Sequence, residues 1–319
     1  MRTIVMTASL LLAAHAHAWA APKDLRAPLA HAERALAAGD YAAAHAAYLR
    51  HGADNPLAQF TLGLFEQQGW GRTRNPVAAC AWFDKAARRH IPAAQQMLGD
   101  CLAQGIGRAI DGPAAAQWYR KAGAAGLTWA WCLAGALYIE GKLVPKDAAQ
   151  GLALCTAAAQ AESTPAMLKL AAYFREGTLV PPDGRLARYW YEQAAQRHSH
   201  EAQFRLGLML AEGEGGPADA AQARFWLEHA AMEGYAPAYL PTAILYANAA
   251  PDPQTGALAP ADLAKVYMWN SAARATATHP AQLAEIDHIE QLALAVMPAP
   301  WKPELDRRVA DHLAKYAAP

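Results

Sequence analysis

The chain has 319 residues, 54% of them hydrophobic and 18% charged, and its 28 Lys+Arg balance its 28 Asp+Glu. A nucleic-acid binder needs a basic excess to neutralise phosphates, and a disordered tail needs a block of like charge; the sequence has neither. Length alone suggests about two domains, a soft prior that internal repetition overturns here.

Arg2 is the one charge ahead of an apolar run from Ile4 to Ala14, which gives way to the small residues up to Ala20. Residues 1–20 thus have the layout of a secretory signal peptide, with Ala18-Trp19-Ala20 meeting the A-x-A rule. A buried first helix is the competing reading, disfavoured because the segment lacks a polar face. No other apolar stretch reaches the ~20 residues that span a bilayer, so the mature chain is expected to be exported, periplasmic or secreted, without membrane insertion. Cys80, the first cysteine, lies too far from the leader to carry a lipid tether. Residues 21–57 predict an N-terminal capping hairpin, with helices Asp24 to Ala38 and Tyr41 to His51 around Gly39-Asp40.

From residue 58 the sequence repeats. Ala58, Ala94, Ala130, Ala166, Ala202 and Ala238 stand 36 residues apart, and the small series Gly63, Gly99, Gly135, Ala171, Gly207, Ala243 keeps the same step. So do Gly69, Gly105, Gly141, Gly177, Gly213; Asn75, Asp111, Asp147, Asp183, Asp219; Trp82, Trp118, Leu154, Trp190, Trp226; and a column of alanines beginning with Ala86. Helical spacing of apolar residues up to Phe65, then Gly69, describes a first helix ended by glycine. Asn75 or its Asp counterparts cap a second helix running to about Arg88. The small residues let two backbones approach, and the Trp series is expected to cover the neighbouring hairpin. One hairpin cannot hide its own apolar face, so the units must stack.

Ala58-Gln-Phe-Thr-Leu-Gly63 with Trp82-Phe-Asp-Lys-Ala-Ala87, and Ala202-Gln-Phe-Arg-Leu-Gly207 with Trp226-Leu-Glu-His-Ala-Ala231, resemble the Sel-like repeat (SLR), a relative of the tetratricopeptide repeat. The resemblance implies an all-α fold, a right-handed α-α superhelix of about six hairpins over residues 58–274 with helical caps at both ends. The sixth copy departs from the pattern. It has Ala243 and Ala249 for glycines, and Asp262 and Trp269 come 43 residues after Asp219 and Trp226, which marks a seven-residue insertion in the loop Ala249 to Pro260. Residues 275–319 predict two C-terminal capping helices, the first with Leu283, Ile286, Ile289, Leu292 and Val296 on one apolar face.

The chemistry-bearing motifs are sparse. There is no G-x-S-x-G, H-E-x-x-H or S-x-x-K, and Gly135 to Lys142 has the wrong glycine spacing for a phosphate loop. His198-Ser-His200-Glu201 is a thin metal-ligand cluster without a third partner nearby, and Glu212-Gly-Glu214 with Asp219 lacks the ligand order of a calcium loop. Catalytic, cofactor and metal residues are therefore expected to be none. Helical geometry ranks Cys80 with Cys101 and Cys132 with Cys155 as the best of three disulfide pairings, because each pair is symmetric about a turn. Buried free thiols remain the competing reading.

In related helical-hairpin solenoids the first helices line a concave face. Carried over, that geometry proposes a partner-binding groove containing Phe60, Leu64, Gln67, Gln96, Asp100, Leu168, Arg175, Phe204, Leu208 and Leu240, suited to a peptide or partner helix. The resemblance implies a monomeric, noncatalytic interaction scaffold. The alternative it carries is a cell-wall ligand binder or β-lactamase-like enzyme, for which the sequence supplies no activated serine.

Overall fold

A computed structural model of the protein describes residues 23–316, and within them the secondary structure is helical, with no strand. The leader expectation, residues 1–20, lies outside the described residues. The chain divides into two compact units, residues 1–170 and 171–319.

In the first unit a helical turn, Lys23–Arg26, and a 3-10 turn, Ala27–Leu29, lead into α1 (Ala30–Ala37) and α2 (Tyr41–Arg50). The single first helix expected from Asp24 is thus broken, because Pro28 lacks an amide hydrogen and opens a 3-10 turn. Three hairpins follow: α3 (Pro56–Gln68) with α4 (Pro76–Arg88), α5 (Pro92–Gln104) with α6 (Gly112–Ala124), and α7 (Trp129–Glu140) with α8 (Ala148–Gln160). Their core is continuous from Leu29, Tyr48 and Phe65 to Phe83, Ile91 and Leu98. Helix α9 (Thr164–Glu176) carries the chain from this unit into the next.

In the second unit α10 (Gly184–Ala195), α11 (His200–Glu212), α12 (Ala220–Met232), α13 (Tyr239–Ala247) and α14 (Pro260–Thr276) continue the alternation. They are followed by α15 (Pro280–Val296) and α16 (Lys302–Tyr316). Leu227, Tyr239, Tyr267, Trp269, Ile286 and Leu305 share one core.

The helix boundaries follow the sequence columns. Gly69, Gly105, Gly141 and Gly213 end their helices in the left-handed conformation at φ 73°, 68°, 67° and 74°, where a side chain would be strained. At the other end of each loop the side chains of Asn75, Asp111, Asp147, Asp183 and Asp219 accept hydrogen bonds from the first-turn amides of α4, α6, α8, α10 and α12. Asp262 departs from this series. Helix α14 starts two residues earlier, at Pro260, so the carboxylate lies inside the first turn, where it still favours the helix dipole.

The Trp side chains lie at a half-exposed edge of their hairpins. Trp82 touches the turn at Gly52 in the preceding hairpin and carries Lys85 above its ring at 4.0 Å, as Trp118 carries Lys121 at 4.1 Å. The glycine of the first helix is covered by the residue after the Trp: a Cβ on Gly63 would lie 2.4 Å from Phe83, and one on Gly99 would lie 2.5 Å from Tyr119. Leu227 meets Gly207 in the same way, while Tyr191 and Ala86 are buried in their own hairpins and Trp190 and Trp226 stay half-exposed. Trp269 is the exception, buried at 5% exposure under α16.

A packing expectation is corrected at α15, whose buried residues are Ile286 and Ala293, with Met297 just beyond its end. Leu292 and Val296 are 59% and 69% exposed. Asn270, buried in α14, donates to the Ile286 carbonyl at 2.9 Å and fixes this rotation of α15.

Candidate partner-binding face

The groove residues do not all reach the surface. Phe60 and Leu64 are 4% exposed and Leu240 is 7% exposed, each enclosed by its neighbours, Phe60 against the Phe83 ring at 5.9 Å. The hairpin α1–α2 packs on α3 through Tyr41, His45 and Tyr48 against Phe65. At their few per cent of exposure Phe60, Leu64 and Leu240 offer a partner almost no surface.

Within the first unit Gln67, Gln96, Asp100 and Leu168 are half-buried. Gln67 lies at the end of α3, its amide 4.0 Å from the Met97 sulfur of α5. Gln96 and Asp100 occupy successive turns of α5. The Trp129 indole N–H donates to Gln96 Oε1 at 3.3 Å, and the Tyr119 hydroxyl donates to Asp100 Oδ1 at 2.6 Å. Burial, the largest influence, holds the Asp100 carboxyl above its ordinary range against these donors, and the same burial together with the carboxylate pushes the Tyr119 hydroxyl far up.

Within the second unit Phe204 and Leu208 are half-buried on α11, and Phe204 packs on Tyr235 with ring centroids 5.6 Å apart. Arg175 makes a two-oxygen ion pair through Nε with Glu214 at 3.1 and 3.0 Å, so its charge is satisfied within the unit. The insertion loop helps form a separate apolar cavity of about 560 Å³ bounded by Leu258, Leu263, Ile289, Val296 and Trp301.

The four cysteines form two disulfides of different kinds. Cys80–Cys101 joins α4 to α5 across the boundary between repeats, with Cα atoms 6.0 Å apart, whereas Cys132–Cys155 closes the α7–α8 hairpin at 4.0 Å. The second pair follows from the local sequence. Cys155 occupies the register of Phe83 and Tyr119, and Gly135 faces Gly151, each glycine leaving a carbonyl 2.5 Å from where the other's Cβ would stand. With two small faces and no aromatic ring between them, α7 and α8 approach closely.

Sequence reasoning missed a further column. Gln59, Gln95 and Gln203 are buried, and each amide donates to a carbonyl at or just beyond the end of the preceding second helix: Gly52, Ala87 and Ala195, at 3.0, 3.4 and 3.4 Å. These bonds satisfy helix-end carbonyls and tie one repeat to the next. The signal was present as a glutamine recurring at 36-residue multiples one residue after the repeat alanine. In the third copy Trp131 replaces Gln, and Gly123 replaces the facing alanine.

Among the described residues no group of three or more His, Cys, Asp and Glu is placed to hold a metal ion. No described helix is long and apolar enough to cross a membrane.

The paired helices, glycine caps and interlocking small residues define a helical-hairpin repeat protein. A family model described as Sel1 repeat matches residues 56–90, 92–127, 132–163, 164–199 and 200–235, more than half of the chain, and the chain belongs to that family, whose repeats generally mediate protein–protein interaction. The sixth hairpin, α13–α14, lies beyond the matched residues. Among solved structures, a protective antigen present in uropathogenic Escherichia coli strains and displaying an SLR fold superposes with a TM-score of 0.63 at 22% identity, over 92% of this chain and 61% of that one. This chain therefore spans 61% of the antigen's length. A Sel1 repeat protein from Oxalobacter formigenes gives a TM-score of 0.60 at 26% identity, over 78% of this chain and 100% of that one. The fold is thus the SLR solenoid type. No curated protein matches the sequence.

Proposed function

We propose that this protein is an exported, monomeric, noncatalytic scaffold that binds a peptide segment of another protein through the open sides of its first helices. The observation that carries the reading is the half-buried polar row Gln67, Gln96 and Asp100, of which Gln96 and Asp100 are hydrogen-bonded to Trp129 and Tyr119 and Gln67 and Asp100 border a cleft. Preorganised amides and a carboxylate on rigid helices are what a bound backbone can hydrogen-bond without a large ordering cost. In the second unit Phe204 and Leu208 supply an apolar counterpart. Two disulfides and the leader-like N-terminus support an oxidising compartment outside the cytoplasm.

The test is photocrosslinking in the producing cell. A photoreactive residue at position 67 or 96 is expected to capture a discrete partner protein, whereas one at the exposed Ala153 of α8 captures none. Phe204→Glu is expected to weaken capture through the second unit. Equal labelling from position 153, or no discrete product from 67 and 96, overturns the reading. The purified protein is expected to leave a chromogenic β-lactam unhydrolysed.

A further inference from the structure

Asp100 breaks its own column. At the same register the other copies carry Leu64, Ala136, Ala172, Leu208 and Ile244, so a carboxylate stands where the repeat otherwise places an apolar side chain. The groups acting on it are neutral. Tyr119 donates its hydroxyl to Oδ1 at 2.6 Å, and the neutral Gln96 side chain one turn earlier on α5 also favours the charged carboxylate. The Gln96 amide oxygen accepts the Trp129 indole N–H at 3.3 Å. No cation pairs with Asp100 among the described residues.

This carboxylate borders a cleft of about 140 Å³ within the first unit. The remaining walls include Gln67, Gln104, Met97, Ile106 and the Cys80–Cys101 bridge. A half-buried negative charge served by neutral donors alone gains most from a cation brought to it from outside. Apolar walls beside such a charge suit a methylene stem. Tyr119 already holds Oδ1, which removes the pair of free oxygens that a guanidinium fork uses, and this favours a compact ammonium.

We infer that this cleft receives a lysine side chain of the bound partner peptide, its ammonium on Asp100 and its methylene stem along Met97, Ile106 and the disulfide. The inference rests on the partner-binding reading of this face and names the chemistry the partner must carry.

The test uses the whole, disulfide-bonded protein and the capped peptide Ala-Lys-Ala, with the Trp129 indole N–H resonance as the reporter because that group bonds to Gln96. Ala-norleucine-Ala, Ala-Arg-Ala and free cadaverine are titrated alongside. The lysine peptide is expected to move the resonance and to bind at least tenfold more tightly than the norleucine peptide. Asp100→Asn, which preserves shape and removes the charge, is expected to abolish that preference, and Tyr119→Phe, which keeps the charge, to retain it. If Asp100→Asn lowers the unfolding temperature, the lysine–norleucine comparison on the unaltered protein decides. Equal binding of norleucine, tighter binding of arginine, a response to cadaverine alone, or no response to lysine overturns the inference. Loss of the lysine preference with capture at positions 67 and 96 intact removes the lysine and leaves the face; loss of capture removes the face itself.

Discussion

The repeat is specified by pairs of residues rather than by single columns. Gly63 and Gly99 exist for Phe83 and Tyr119, whose rings occupy the volume a Cβ would need, and Gly123 exists for Trp131. In the last pair a Cβ on Gly123 would lie 2.3 Å from the indole, whereas other copies place an alanine there opposite a slimmer side chain. Gly123→Ala is therefore expected to destabilise the protein by about 1–3 kcal/mol through overpacking. With Trp131→Gln, which restores the column residue, the same substitution should be neutral or stabilise by up to about 1 kcal/mol, since alanine is the better helix former. Urea unfolding of the four proteins of this cycle measures the coupling, and additive effects would show that the two sites do not share space.

At the scale of elements, the hairpins are interchangeable but their ends are not. Helix α16 closes the second unit through His312, whose Nε2 lies 3.1 Å from the Tyr239 hydroxyl and whose ring meets Trp269 edge-on at a centroid distance of 5.3 Å. Burial, then Lys315 on the same helix, holds this imidazole below its ordinary 6.5, against a hydrogen bond to the Ala231 backbone that acts the other way. Arg308, Lys265 and Glu228 line the adjoining cleft, and Glu233 and Tyr316 lie beyond it. A base lowered in the folded state binds fewer protons there than in the unfolded chain. Its contribution to stability is therefore complete above 6.5 and declines as the pH falls below that value through the lowered one. The thermal midpoint is expected to drop on acidification from about pH 7 to about pH 5, and His312→Gln should remove part of that drop. An unchanged pH profile in the variant would assign the drop to other groups, His45 among them, which is also lowered.

For the molecule as a whole, the two disulfides fall within residues 80–155 and therefore within the first unit. Cross-links separated by 21 and 23 residues are each worth about 3 kcal/mol in the chain-entropy account. In repeat proteins stability is approximately a sum over units and nearest-neighbour interfaces. Reduction is thus expected to raise amide exchange in the first unit and leave the later hairpins α11 to α14 protected. Hydrogen exchange with and without a thiol reductant checks this, and equal loss of protection in both units would mean that the chain unfolds as one cooperative body.

The sequence by itself determined the hairpin, its period and its punctuation, because glycine at a left-handed helix end and Asn or Asp at a helix start act within a few residues of themselves. It also ranked the cysteine pairing, since height along neighbouring helices follows from distance to the shared turn. Facing was decided only in three dimensions. Phe60, Leu64 and Leu240 carry the spacing of an open row, yet adjacent elements bury them, while Gln67, Gln96 and Asp100 from the same reading stay half-exposed. Likewise the stripe expected on α15 keeps Ile286 but turns Leu292 and Val296 outward in favour of Ala293, and the rings of Phe83 and Tyr119 lie where a Cβ on Gly63 or Gly99 would stand. A rotation of a few tens of degrees about a helix axis leaves the period intact and changes which side chains meet, and that rotation is set by the neighbours a helix packs against.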